Sequence, residues 1–172
     1  MLDGIAVITF DLPNEPVNKF TQSVKDEFKE LIERLDRDTG VRAAVLISGK
    51  KDIFIAGADI EEFLEIRSAA DAERLSREGQ EMVARLERGK PVVAAINGAC
   101  LGGGLEAALA CAYRIAADTP KTILALPEVQ LGLIPGAGGT QRLPKLVGLR
   151  QALDMILASK NIRAKKALDI GL

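Results

Sequence analysis

The sequence predicts an α/β fold with a largely parallel sheet, and three observations carry that expectation. Short β-branched or aliphatic runs alternate with longer segments whose apolar residues recur at three- and four-residue steps. The runs at 43–47 and 91–96 are continuously apolar, as strands buried in a parallel sheet are. With 172 residues, 48% of them hydrophobic, the chain is long enough for one domain with a sizeable core.

The elements follow in order. Residues 5–12 read as a strand closed by the turn Pro13-Asn14-Glu15-Pro16. From Ser23 onward Val24, Phe28, Leu31, Ile32 and Leu35 line one face of a helix that ends before Gly40. After the buried strand at 43–47 comes a polar turn, then a small-residue loop from Phe54 to Ile60. Leu75, Gly79, Met82, Val83 and Leu86 mark a second amphipathic helix, closed by Gly89-Lys90-Pro91, and the strand at 91–96 runs straight into a glycine turn. Residues 113–117 and 122–126 read as two more strands, followed by a glycine-rich loop at 132–139. The remainder reads helical, with Pro144 near a helix start and apolar faces that include Leu143, Leu153, Leu157, Ala167 and Leu168. The order in which such strands wind together stays open, and no repeat, linker or low-complexity stretch appears.

Composition removes several functions. Basic and acidic residues nearly cancel, 23 against 24, and Arg163, Lys165 and Lys166 read as a solvated helix face, so neither nucleic acid nor a membrane surface is expected as a partner. Aromatic residues make up 3% of the chain, too few for base-stacking platforms. No apolar run approaches the roughly 20 residues a bilayer span needs, and the N-terminus lacks a secretory pattern. Without histidine, Cys100 and Cys111 make no usual zinc site; they read as small buried residues in a reducing compartment, and no metal is expected.

Chemistry concentrates at Gly98 to Glu106. Three consecutive glycines, Gly102, Gly103 and Gly104, bare the main chain after a strand, and the helix that follows aims its positive end at the same place. Such a turn stabilises an oxyanion or a phosphate. The loose dinucleotide pattern Gly102-x-Gly104-x-x-Ala107 fits poorly, because Glu106 would stand inside the phosphate-binding turn. Nucleoside triphosphate loops and hydrolase nucleophile elbows are absent. What remains is a bare turn offering N–H groups to a carbonyl oxygen, with Glu106 and Glu128 as acid/base candidates, a set suited to a thioester enolate. On spacing alone Glu106 also reads as a first-turn glutamate answering its own helix dipole, and Glu128 as a solvated loop acid.

Four segments in order, 54–60, 99–106, Leu126-Pro127-Glu128 and 135–143, resemble the signature segments of the crotonase (enoyl-CoA hydratase/isomerase) family. The similarity covers essentially the whole chain and is greatest to the hydratase domain of multifunctional fatty-acid oxidation α subunits. The resemblance implies a crotonase-like spiral of ββα units facing an acyl-CoA thioester. It implies an oxyanion hole from the Ala58 and Gly103 N–H groups, with Glu106 activating water and Glu128 protonating C2 of a 2-enoyl thioester. Members with both glutamates tend to hydrate and members with one tend to isomerise, so hydratase is expected and isomerase through Glu128 stays open.

By the same matching, Ala56, Gly57, Asp59, Ile60, Gly102, Gly104 and Gly136 fall where relatives meet coenzyme A or substrate, as does the segment 17–20. Gly136, Gly138 and Gly139 read equally as a second wall of the site or as a plain helix-start loop. The thioester is substrate and no separate cofactor is implied. The resemblance further implies that 1–172 is one such domain without the family's C-terminal helical region and without a dehydrogenase domain, so no NAD site is expected. It also implies a homo-oligomer or a fatty-acid oxidation complex, in a bacterial cytoplasm or a mitochondrial matrix. An acyl-CoA-binding or assembly fragment with idle glutamates, or another reaction of the family, is the alternative.

Overall fold

The computed structural model describes residues 3–172. Its elements repeat a strand–strand–helix order, in which the first strand of each unit joins one sheet and the second joins another. β2 (Ala43–Ser48), β3 (Ile53–Ile55) and α3 (Ala69–Arg88), with the short helix α2 (Ile60–Phe63) between, form the first complete unit. β4 (Val92–Ile96), β5 (Ala99–Leu101) and α4 (Gly103–Ala110) form the next. The third is β6 (Tyr113–Ala116) and β7 (Ile123–Ala125), followed by a 3₁₀ turn at Glu128–Leu131 and α5 (Gly139–Val147). β1 (Ile5–Phe10) and α1 (Gln22–Arg37) precede these units, and α6 (Leu149–Leu157), β8 (Ile162–Arg163) and α7 (Ala164–Asp169) follow. This is the ββα spiral expected of the crotonase-like class.

One sheet runs β1-β2-β4-β6 and is wholly parallel; the other runs β3-β5-β7-β8, parallel except for β8, which returns antiparallel to β7. The expectation of one largely parallel sheet is therefore corrected to two. β3 and β5 are three residues long, too short for a periodic signal, and each lies among small residues whose sequence reads as loop or turn. β1 ends at Phe10, not at residue 12, because Leu12 turns to donate its N–H to the Asn18 side chain (2.9 Å). α5 begins at Gly139, so Pro144 lies inside that helix and not at its start.

The core is aliphatic and continuous, joining Leu46, Ala94 and Ile96 of the first sheet to Phe54, Ile55, Cys100 and Leu124 of the second, with α1, α3, α4, α5 and α6 packed against it. Side chains of α6 and α7 split by face: Ala152, Met155 and Ala167 are buried, whereas Leu153, Leu157 and Leu168 are exposed, so only part of the expected apolar face is internal. Arg163, Lys165 and Lys166 are exposed, as their composition suggests.

Asn18 is fully buried and joins the two sheets. Its amide donates to the carbonyls of Phe10 (2.7 Å) and Phe54 (3.2 Å) and to Ser48 Oγ (3.0 Å), while its Oδ1 accepts from Leu12 N–H. The ends of β1, β2 and β3 thus share one polar side chain, which is satisfied at both its oxygen and its nitrogen. The chain then runs beside the loop after β3: Ala56 N–H donates to Asn18 O (2.8 Å), Phe20 N–H to Gly57 O (2.8 Å), and Asp59 N–H to Phe20 O (3.1 Å).

Candidate active site

The last three hydrogen bonds decide where Ala58 points. In a parallel bridge the residue opposite Phe20 uses its two neighbours for pairing, so the N–H of Ala58 itself faces away from that partner. Ala58 is exposed. Gly103 opens α4, where the first N–H groups of a helix lack an intrahelical acceptor. The two groups lie side by side, since a methyl on Gly103 would stand 3.6 Å from the Ala58 nitrogen and one on Gly57 would stand 3.7 Å from the Gly103 nitrogen. Neither N–H donates to another group among the described residues. Gly102 makes the turn possible, with φ of 51° in the region that disfavours a β-carbon.

Glu106 follows one helical turn later and is 3% exposed. Its Oε1 accepts from Ala137 N–H (2.8 Å) and Gly139 N–H (2.7 Å), in the loop before α5, and Oε2 has no hydrogen-bond partner among the described residues. Glu106 therefore serves another loop instead of simply answering its own helix dipole. Burial raises its pKa above the ordinary carboxylate value; the N–H groups of Gly139 and Ala137 and the nearby Arg142 guanidinium oppose that rise.

Glu128 begins the 3₁₀ turn behind Pro127 and is not the solvated acid that spacing allowed. Its carboxyl lies over the glycine turn, where a methyl on Gly102 would meet Oε1 at 3.3 Å. Its Oε2 is buried with no hydrogen-bond partner among the described residues. Burial, and secondarily the charge of Glu106, push its pKa up to about 7. Burial raises both acids; the Ala137 and Gly139 N–H groups oppose the rise at Glu106, and at Glu128 its own backbone N–H does so.

The remaining expected site residues divide. Gly57 and Gly102 belong to the two loops that meet at the N–H pair. Gly104 faces inward, where a methyl would stand 2.4 Å from Ile55 O, so its small size serves helix-to-strand packing. Asp59 caps α2 and pairs with Lys19 (3.1 Å), Ile60 is half-exposed on α2, and Ala56 is tied through its N–H to Asn18. Gly136 turns its carbonyl to α3, accepting from Ser76 Oγ and Gln80 Nε2 (both 2.9 Å). The glycine loop starts α5, with Gly138 as its N-cap, and the same loop lends its Ala137 and Gly139 N–H groups to Glu106. The sequence reading missed Asn18 and the loop N–H donors to Glu106. A lone asparagine after a proline turn carries no such signal, and main-chain donors have no side chain to announce them. Cys100 and Cys111 are buried, with thiol pKa values raised by desolvation, that of Cys111 to about 12, as packing residues would have.

Comparison with known proteins agrees with this geometry. Over 171 residues the chain is 56% identical to the fatty acid oxidation complex subunit alpha of Idiomarina loihiensis and 54% identical to that of Shewanella oneidensis. Each match covers 99% of this chain and 24% of the relative, so the chain spans about a quarter of the length of these curated relatives. Among solved structures, DspI of Pseudomonas aeruginosa superposes with a TM-score of 0.91 at 40% identity, over 99% of this chain and 68% of that one. An enoyl-CoA hydratase of Bacillus anthracis superposes with a TM-score of 0.86 at 34% identity, over 96% and 64%. The enoyl-CoA hydratase/isomerase family matches residues 2–172, and the chain belongs to that family.

Proposed function

We propose that this chain is the hydratase part of a fatty-acid oxidation protein, adding water to a 2-trans-enoyl-CoA to give the 3-hydroxyacyl-CoA. The observation that supports it is the meeting of two glutamates with a pair of unengaged N–H groups.

In this reading the thioester oxygen accepts from Ala58 and Gly103 N–H, which stabilise the enolate oxygen as charge develops there. Water sits on Oε2 of Glu106, the oxygen the protein leaves free. As the water oxygen bonds to C3, Glu106 takes its proton and the double-bond electrons move onto the thioester oxygen. The enolate then collapses, and C2 takes the proton that Glu128 carries near neutral pH. Glu106 ends protonated and Glu128 charged, and return of that proton restores the pair. Every step moves a proton or an electron pair among the two glutamates, water and the thioester, and this reading assigns no separate cofactor.

Isomerisation of a 3-enoyl to a 2-enoyl thioester is a second reading of the same site. It needs one acid/base beside the oxyanion pair, and Glu128, pushed up to about 7 and lying against Gly102, is suited to it. The loop residues Ala56, Gly57, Asp59 and Ile60 are assigned to the coenzyme A side, through main chain more than side chain. The partner expected for the longer protein is another subunit of a fatty-acid oxidation complex, and the compartment is the cytoplasm of a bacterium. Among the described residues no helix is long and apolar enough to cross a membrane.

Replacing Glu106 by Gln should lower hydration of crotonyl-CoA by about 10²- to 10⁴-fold while sparing isomerisation of a 3-enoyl-CoA. Replacing Glu128 by Gln should lower both. Equal loss of both reactions in Glu106→Gln contradicts the division of roles, and unchanged hydration in either variant contradicts the two-acid mechanism.

A further inference from the structure

Glu106 is held by a loop, and that loop is held from behind by α3, a helix outside all four signature segments. The Gly136 carbonyl accepts from Ser76 Oγ (2.9 Å) and Gln80 Nε2 (2.9 Å), and Gln80 Nε2 also donates to Ser76 Oγ (3.0 Å). A trans peptide carries its C=O and N–H on opposite edges. Fixing the Gly136 carbonyl on α3 therefore aims the Ala137 N–H away from α3, and its acceptor there is Glu106 Oε1 (2.8 Å).

The next two carbonyls are held as well. Ala137 O accepts from Arg142 Nη1 (3.2 Å), whose Nη2 pairs with Glu87 of α3 (2.7 Å). Gly138 O accepts from the N–H groups of Gln141 and Arg142 (both 3.0 Å), and Gly139 N–H returns to Glu106 Oε1 (2.7 Å). Each of the three carbonyls has a partner other than Glu106, and the Ala137 and Gly139 N–H groups converge on Oε1 as a main-chain anion site. Glu106 is its occupant. Ser76 and Gln80 are the side chains on its first peptide, one helical turn apart on a single face of α3.

We propose that Ser76 and Gln80 are positioning residues that act through the Gly136–Ala137 peptide to fix the Glu106 carboxylate and the direction of its free oxygen. The catalytic consequence rests on the hydratase reading above; the structural claim does not. Freeing this peptide loosens one of the two N–H donors on Oε1, which disfavours the charged carboxylate and lets the water-bearing oxygen turn. The charged groups acting on Glu106 are Arg142 from α5 and Glu128 from the 3₁₀ turn, with Glu87 of α3 reached through Arg142. Elsewhere on α3, Glu78 pairs with Arg74. Cys100 of β5 is buried in the core, and Arg114 of β6 binds carbonyls at the opposite end of α4. Substitutions at 76 and 80 leave all of these in place.

The test compares the 172-residue chain with Ser76→Ala, Gln80→Leu and the double variant, following carbon-13-labelled glutamate carboxyls by NMR titration, with Glu106→Gln to assign the signal. Gln80 is exposed and Ser76 half-buried, so folding should survive; Gln80→Met replaces the leucine variant if circular dichroism shows otherwise. In the double variant the Glu106 titration should move to higher pH. Hydration of crotonyl-CoA should lose about tenfold in kcat with KM within about twofold, since misplacement affects the reacting geometry more than binding. Ser76→Thr, which keeps the hydroxyl, should restore the parent's behaviour. An unmoved Glu106 titration in a folded double variant overturns the proposal. Because the titration needs no turnover, a parent inactive on crotonyl-CoA would remove the hydratase reading alone.

Discussion

Glu128 shows how far a side chain's chemistry departs from what its neighbours in sequence suggest. After Leu126-Pro127 it looks like a loop acid, yet the turn folds its carboxyl over Gly102 and buries one oxygen without a partner. Two pH effects follow from its pKa near 7. Hydration should decline as pH rises through about 7, because Glu128 loses the proton that the proposed mechanism assigns to C2; a rate that instead rises through that region would contradict that role. Stability carries the same sign. Between the ordinary value of 4.5 and about 7 the folded chain holds a proton that the unfolded chain has released, so folding weakens as pH rises across that window. Glu128→Gln should therefore be more stable than the parent at pH 8, by roughly 1–2 kcal/mol once partial solvent access is allowed for, and no more stable at pH 4. Urea unfolding at the two pH values measures it. Asn18 makes the converse case. Nothing in its sequence context marks it, since its value lies in contacts to β1, β2 and β3 and to Leu12 that only the folded chain brings together. Asn18→Leu takes the acceptor from Leu12 N–H and a donor from the Phe54 carbonyl, while Phe10 O keeps Gly49 N–H, and should lower stability by about 2–4 kcal/mol in the same urea assay.

Among the elements, the long ones were legible and the short ones were not. α1 and α3 carry apolar residues at helical spacing with Thr21 and Ser68 as caps, and β2 and β4 are continuous aliphatic runs. β3 and β5 hold three residues each, and what makes them strands is the neighbour across the second sheet, which a local pattern does not record. Those short strands nevertheless set the site, because β3 delivers Ala58 and β5 delivers Gly103. Gly104 is the joint between them: at 2.4 Å from Ile55 O there is no room for a methyl group. Gly104→Ala should push the start of α4 off β3, with about 1–3 kcal/mol lost in unfolding. Hydration should fall with it, because the Gly103 and Ala58 N–H groups no longer share an oxygen. A variant with parental stability and rate would show that this approach is slack.

At the scale of the whole molecule, the glycine and glutamate segments identified the family and its chemistry, whereas the winding of two sheets came from strand pairing over long separations. The buried residues of both sheets form one continuous cluster, so unfolding should be a single transition, with circular dichroism and hydrogen exchange in β2 and β7 agreeing on its midpoint. Distinct midpoints would mean that the second sheet folds as its own unit. The central claim is that this chain, about a quarter the length of its curated relatives, holds the residues of a hydration site. The direct measurement is the loss of enoyl-thioester absorbance when the purified 172-residue chain is given crotonyl-CoA, with 3-hydroxybutyryl-CoA identified as product. The parent should turn over, and turnover should disappear in both Glu106→Gln and Glu128→Gln. A folded parent that binds an unreactive acyl-CoA yet leaves crotonyl-CoA unhydrated would contradict it.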